Sequence, residues 1–97
     1  MRVILDCEKL SSRRGAHEYL QEALGFPAYY GKNLDALYDC LTELCGCVVV
    51  LRGRDALARS GGYGARILRV LEDAARANPR LTLEDGGTED TEGVEDE

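Results

Sequence analysis

The sequence predicts an α/β fold: a small three-stranded parallel sheet packed with helices. Short apolar runs typical of strands alternate with segments whose apolar residues recur at helical spacing. The run CVVVLR at 47–52 has few polar breaks, which is typical of a strand covered on both faces in a parallel sheet. Strands separated by helices need crossover connections, so the predicted order β-α-α-β-(α)-α-β implies parallel pairing. With 97 residues, 44% of them hydrophobic, the chain can bury one modest core.

Three local signals organise the first quarter of the chain. RVILDC at 2–7 predicts a strand bounded by charged residues. Ser11 and Ser12 offer an N-cap to a helix that ends at Gly25. His17 lies at the flank of the apolar stripe of this helix, so we expect a surface or core-edge histidine without a catalytic role.

The next helix, predicted from about residue 34 to 44 after an N-cap at Asn33, carries an acidic face. Asp35, Asp39 and Glu43 follow one another at i, i+4 spacing opposite the apolar side, and we call these three residues the acidic face. Each like-charged pair at this spacing costs about 0.2–0.5 kcal/mol. Selection for stability alone would favour a base at one of these positions, so the pattern indicates a function.

The second half of the chain predicts further helices and the closing strand. Residues 54–59 suit a short helix before the break at Gly61-Gly62. Apolar residues at helical spacing from Ala65 onward predict a longer helix that ends at Asn78-Pro79. RLTLE at 80–84 alternates between polar and apolar residues and predicts the third strand.

The net charge of −6 is unevenly distributed. Seven of the 18 acidic residues and none of the 12 basic residues fall within 85–97, so the rest of the chain is nearly balanced. We therefore expect a folded domain over 1–84 and an acidic, disordered tail over 85–97. Because no apolar run reaches the ~20 residues of a membrane span and no export signal begins the chain, we expect a cytoplasmic protein without membrane contact.

The four cysteines do not predict a metal site. Cys40, Cys45 and Cys47 have the spacing C-x4-C-x-C, which lacks the C-x-x-C of structural zinc sites, and Cys7 and His17 lie far away in sequence. We expect reduced, buried thiols and no bound metal, with a disulfide as the alternative.

No motif predicts an enzyme or a cofactor site. GFPAYYGKN at 25–33 has the wrong glycine spacing for a phosphate-binding loop, and the glycine-rich stretch 60–64 lacks the third glycine of a dinucleotide fingerprint. Nucleic acid is an unsuitable partner, because the bases are scattered and the acidic face would repel phosphate. A patch of carboxylates beside Tyr29 and Tyr30 fits instead a surface that binds a basic protein.

The run YYGKNLDALYDCLT at 29–42 resembles the signature of the barstar family, the intracellular inhibitors of barnase-type ribonucleases. Weaker similarity extends over 1–84. The resemblance implies a three-stranded parallel sheet with surrounding helices, and a monomer that forms a 1:1 complex with a cognate basic ribonuclease. In such a complex the inhibitor helix and the preceding loop block the active site, and a carboxylate takes the place of a substrate phosphate.

The resemblance also implies roles for individual residues. Asp39 would face the arginines and the catalytic histidine of the ribonuclease. Asp35 would pair with a further base, and Tyr29 would pack on the catalytic histidine. The remaining predicted contacts are Tyr30, Asn33, Leu34, Tyr38, Thr42, Glu43 and a distal acid in the last helix, Asp73 or its neighbour Glu72.

Three positions depart from the best-known member of the family. Tyr38 and Leu44 stand where that member has tryptophans, and Glu43 replaces a glycine at the edge of the interface. Glu43 adds charge and bulk where the enzyme would approach, so the cognate ribonuclease need not be barnase. The alternative to a ribonuclease inhibitor is a binding or immunity module of the same fold that neutralises a different basic toxin or protein.

Overall fold

A computed structural model of the chain describes residues 1–55 and 62–87, where three parallel strands pack with helices in the sheet order β1-β2-β3. This arrangement confirms the predicted fold class. None of the described helices is both long and apolar enough to cross a membrane. In chain order the elements are β1 (Arg2–Asp6), a 3-10 helix (Cys7–Leu10), α1 (Arg13–Leu24), α2 (Leu34–Thr42), β2 (Cys47–Arg52), α3 (Tyr63–Ala77) and β3 (Leu81–Gly87).

The helix ends follow the capping residues that the sequence contains. The Ser12 hydroxyl accepts a hydrogen bond from the backbone N–H of Gly15 at 3.3 Å, and α1 ends at Gly25 in the left-handed region, with φ 70°. The Asn33 side chain accepts from the backbone N–H of Ala36 at 2.7 Å and begins α2. These caps confirm the predicted starts of both helices.

The core lies between the helices and one face of the sheet. Leu5 of β1 and both Val49 and Leu51 of β2 are fully buried on this face. On the other face Ile4 of β1 is 53% exposed, but Val50 of β2 is buried and Val48 is half-buried, so β2 is largely covered on both faces, as its apolar run predicts. The helical residues that complete the core with no exposed surface are Leu20, Leu37, Leu41, Ile67 and Leu71.

Two strand ends differ from the prediction. β1 ends at Asp6 because the Asp6 carboxylate accepts from the Glu8 backbone N–H at 3.0 Å and turns the chain into the 3-10 helix. β3 continues to Gly87, so the predicted domain boundary between residues 84 and 85 falls inside a strand. Pairing with β2 stabilises this polar extension through backbone hydrogen bonds. The predicted helix at 54–59 and the predicted tail lie mostly outside the described residues.

Candidate functional site

The acidic face is solvent-exposed over its full length. Leu37 and Leu41 on the opposite side of α2 are fully buried, which fixes the rotation of the helix and turns the carboxylates outward. Within the described part of the chain, none of the three carboxylates of the acidic face forms an ion pair. Asp35 lies in the first turn of α2, where the positive end of the helix dipole favours a carboxylate. Glu43 lies at the C-cap, beside the negative end of the dipole, so the helix dipole adds to the repulsion within the acidic face.

The loop between α1 and α2, residues 26–33, exposes one of its two adjacent tyrosines and buries the other. We call it the Tyr29 loop. The Tyr30 backbone N–H donates to the Pro27 carbonyl at 3.0 Å, and the resulting turn sends the adjacent side chains in opposite directions. Tyr29 is 88% exposed. Tyr30 is 5% exposed and packs on Phe26 with ring centroids 5.0 Å apart. In the free protein, little of the Tyr30 side chain is therefore available for its predicted contact with a partner.

His17 is buried at the centre of a hydrogen-bonded chain of three side chains. Its Nδ1 lies 2.6 Å from the Tyr30 hydroxyl and its Nε2 lies 2.7 Å from the Tyr63 hydroxyl. A neutral imidazole has one donor and one acceptor, so one tyrosine donates to His17 and the other accepts from it. The expectation of a surface or core-edge histidine was therefore wrong. His17 instead connects the Tyr29 loop to the start of α3.

The buried His17 predicts a loss of stability in mild acid. Burial, and secondarily the charge of Arg13, lowers the pKa of His17 below its usual 6.5. The unfolded chain then binds a proton at higher pH than the folded chain, so this contribution to stability is complete above pH 6.5 and declines as the pH falls toward the folded pKa. Urea unfolding between about pH 7.5 and about pH 5 should show this decline in the free energy of unfolding.

The control for this experiment is His17→Gln, which cannot titrate. Carboxylates contribute a background pH dependence in both proteins, so the relevant quantity is the difference between the two curves. Arg13, Tyr30 and Tyr63 are the charged or titratable groups that face the ring. Equal slopes for wild type and His17→Gln above about pH 5 would contradict the assignment.

Asn78 fixes the other end of α2, and sequence reasoning identified it only as the end of a helix. Its side chain is buried and donates to the carbonyls of Leu41 at 3.0 Å and Leu44 at 2.9 Å. Its Oδ1 accepts from the Arg80 backbone N–H at 3.0 Å. Leu41 lies in the last turn of α2, where carbonyls lack partners further along the helix, and Leu44 follows the helix. Asn78 therefore attaches the end of α2, and the turn after it, to the end of α3. No local sequence signal distinguishes this asparagine from an ordinary helix terminator.

Five of the predicted contact residues border two clefts beside α2. Tyr29 and Glu43 border a cleft of about 230 Å³ between the Tyr29 loop and the end of α2. Asn33, Leu34 and Asp35 border a second cleft of about 230 Å³ near the start of α2.

Tyr38 and Thr42 lie on α2 itself. Tyr38 is 37% exposed. Thr42 donates its hydroxyl to the Asp39 carbonyl at 2.9 Å, so that hydroxyl already has a partner within the helix.

The two candidates for the distal acid already have intramolecular partners. Asp73 forms an ion pair with Arg76 on the next turn of α3. Glu72 forms an ion pair with Arg54, which follows β2. Neither acid borders a cleft described above, so the choice between them stays a prediction.

The cysteines do not share one environment. Cys7 and Cys47 are buried and Cys40 is half-buried, but Cys45 is exposed, which corrects the expectation that it is buried. Its Sγ lies 3.6 Å from the Arg80 guanidinium because the turn after α2 carries it to the surface. Burial, with a smaller contribution from Asp6, raises the pKa of Cys7 to about 11, so this thiol stays protonated at neutral pH. No cluster suited to a metal ion occurs among the described residues.

Comparison of the sequence with known proteins identifies its family. The family described as Barstar (barnase inhibitor) matches residues 1–89. A protein of Bacillus subtilis (strain 168) named "Putative ribonuclease inhibitor YrdF" is 34% identical over 76 residues, which covers 75% of this chain and 84% of that protein. The match to the family spans every described strand and helix, including the acidic face and the Tyr29 loop. The chain therefore belongs to the barstar family of barnase inhibitors.

Proposed function

We propose that this chain inhibits a basic ribonuclease by presenting the acidic face and the Tyr29 loop to the active site of the enzyme in a 1:1 complex. Inhibitors of the barstar family are not enzymes. The observation that carries the proposal is the row of exposed carboxylates without an ion-pair partner in the described part of the chain. A basic enzyme would supply the missing positive charge.

The chemistry of the acidic face suits a site that binds phosphate. A ribonuclease must hold the RNA backbone with cationic side chains, and a carboxylate forms the same charge-assisted hydrogen bonds to arginine as a phosphate oxygen does. Asp39 lies at the centre of the face, with Asp35 one turn before it and Glu43 one turn after it. We propose that Asp39 takes the position of the phosphate and that Asp35 pairs with a base beside it.

The Tyr29 loop adds a preorganised aromatic contact. Tyr29 is almost fully exposed, while Tyr30 and His17 hold the loop from below through a 2.6 Å hydrogen bond. An aromatic side chain on a rigid support loses little conformational freedom on binding, and such residues often dominate interface energetics. We propose that Tyr29 packs on an active-site side chain of the enzyme.

Titration of a barnase-type ribonuclease with the chain tests this function. We expect RNA cleavage to fall linearly with added inhibitor and to reach zero at one chain per enzyme. Binding without loss of cleavage would instead support a module that neutralises a different basic protein. In the same assay, weaker inhibition by Asp39→Asn would indicate blockage of the active site, whereas unchanged inhibition would indicate contact elsewhere on the enzyme.

The rate of association should depend strongly on salt. Opposite charges on the two partners accelerate their encounter, and salt shortens the Debye length from ~10 Å at 0.1 M to ~3 Å at 1 M. We therefore expect the association rate constant, measured by stopped flow, to fall steeply over this range while the dissociation rate constant changes less. An association rate constant that does not change with ionic strength would indicate a contact made by apolar side chains alone.

A further inference from the structure

Arginines border the start of the acidic face, although none lies within its stretch of sequence. Arg13 at the start of α1 and Arg66 on α3 line the same cleft of about 230 Å³ as Asp35. Arg66 and Arg69 line a neighbouring cleft of about 400 Å³ between α3 and Leu34. We call Arg13, Arg66 and Arg69 the basic border. Leu34 and Arg66 line both clefts, so the two spaces are neighbours along one surface.

Two of these arginines are available to a partner. Arg66 and Arg69 are exposed, and neither forms an ion pair within residues 1–55 and 62–87. The neighbouring arginines on and near α3 differ in this respect, because Arg54 pairs with Glu72 and Arg76 pairs with Asp73. Residues three apart on a helix are neighbours, so these two like charges repel each other, as the carboxylates of the acidic face do at a spacing of four.

The lining of the larger cleft favours a protein side chain as its occupant. Leu34, Ala65 and Val70 provide apolar walls, and the two guanidinium groups provide the charge. A carboxylate on a short aliphatic stem satisfies both, because the stem contacts the walls and each guanidinium can donate to the carboxylate oxygens. The α3 helix begins at Tyr63 beside the cleft, and its positive end adds to the attraction for an anion.

We propose that the ribonuclease partner of this chain is bipolar. Its cationic active site meets the acidic face, and an Asp or Glu on the adjacent rim enters the cleft at Arg66 and Arg69. The inference rests on the proposed function, because an enzyme seated on Asp35 and Leu34 would also cover the basic border. A basic ribonuclease without this acid would meet two uncompensated arginines, so the basic border selects among ribonucleases.

Charge reversal at the basic border tests the proposal because the alternative predicts an effect of opposite sign. If only the acidic face mattered, Arg66→Glu would remove repulsion toward a basic enzyme and would tighten inhibition. The bipolar partner predicts that Arg66→Glu and Arg69→Glu each weaken inhibition, by about tenfold or more. The probe is the barnase-type ribonuclease of the source organism, produced recombinantly, with barnase as a reference enzyme.

The matched control is Arg14→Glu. This variant changes the net charge by the same amount, but Arg14 lies outside both clefts and, among the described residues, its ion-pair partner is Glu18 on its own helix. We expect its inhibition constant to stay within about threefold of wild type, since exposed pairs contribute little. If a charge-reversal variant unfolds, Arg66→Gln replaces it, because glutamine removes the positive charge without adding a negative one. Urea unfolding of every variant verifies that it is folded.

The outcomes separate this inference from the proposed function. The proposal is supported if wild type inhibits the enzyme, Arg66→Glu inhibits it less well and Arg14→Glu inhibits it as wild type does. It is also supported if inhibition by Arg66→Glu recovers when an acid on the rim of the enzyme is changed to lysine. Inhibition that Arg66→Glu leaves unchanged or tightens overturns the bipolar partner but leaves the proposed function intact. Binding of inorganic phosphate at Arg66, with inhibition unaffected by charge reversal, would assign the cleft to a small anion and overturn it. Absence of inhibition by wild type would overturn both.

Discussion

Asp39→Asn is expected to produce a protein that melts at a higher temperature and inhibits less well. In the free chain Asp39 makes both like-charge contacts of the acidic face, so its neutralisation should stabilise the fold by roughly 0.4–1 kcal/mol, less in high salt. Asparagine and aspartate have similar helix propensities, so the substitution leaves α2 otherwise unchanged.

Binding should change in the opposite direction and by more. Removing one member of a buried charge pair costs about 2–5 kcal/mol, a range to which barnase–barstar complexes themselves contributed, and this corresponds to about 30-fold to several thousand-fold in the inhibition constant. The cost is large because the cationic phosphate site of the enzyme would be desolvated against a neutral amide.

Urea unfolding of the free protein and inhibition of the ribonuclease measure the two effects separately. Glu22→Gln is the matched control, because it removes one negative charge from an exposed position on α1, away from the acidic face. This control should change neither quantity appreciably. An Asp39→Asn variant that lost stability and kept full inhibition would make Asp39 a structural residue and would contradict its role as a phosphate mimic.

Asn78→Ala is expected to cause the largest loss of stability among the substitutions considered. The change removes three hydrogen bonds of the buried amide. The Leu44 carbonyl and the Arg80 backbone N–H lose these partners, while the Leu41 carbonyl keeps a hydrogen bond of 3.3 Å from the Leu44 backbone N–H. Leaving buried polar groups unsatisfied costs about 1–3 kcal/mol each, so we expect a total of about 2–4 kcal/mol after partial access of water. The end of α2 should loosen, and with it the position of Glu43.

Urea unfolding again measures the effect, with Asn33→Ala as the comparison. Asn33 is also an asparagine that caps α2, but it is exposed and makes one capping bond, so its removal should cost about 0.5–2 kcal/mol. Asn78→Asp keeps the acceptor for Arg80 but places a carboxylate against two carbonyls, so it should be at least as destabilising as alanine. If Asn33→Ala cost more than Asn78→Ala, the attachment of α2 to α3 would contribute little to stability.

Local signals in the sequence were sufficient for the fold class and most element ends. Ser12, Gly25 and Asn33 act within a few residues of their own position, so their capping roles were readable before any tertiary contact was known. The outward direction of the acidic face followed from the apolar residues opposite it, because the helical period relates the two faces. The end of β3 was not readable in this way, since Asp85 and the glycines after it are stabilised by pairing with β2.

The features that complete the site depend on residues far apart in the chain. His17 is buried because Tyr63, 46 residues later, supplies its second hydrogen bond, and Asn78 reaches back 37 residues to the carbonyl of Leu41. The acidic face was readable because its members lie one turn apart in one helix. The basic border was not, because Arg13 and Arg66 belong to different helices that meet only after the core has packed. The sequence by itself thus determined the charge that the chain presents, whereas only the tertiary structure decided which charges surround it, because side chains of different helices become neighbours through packing and not through spacing along the chain.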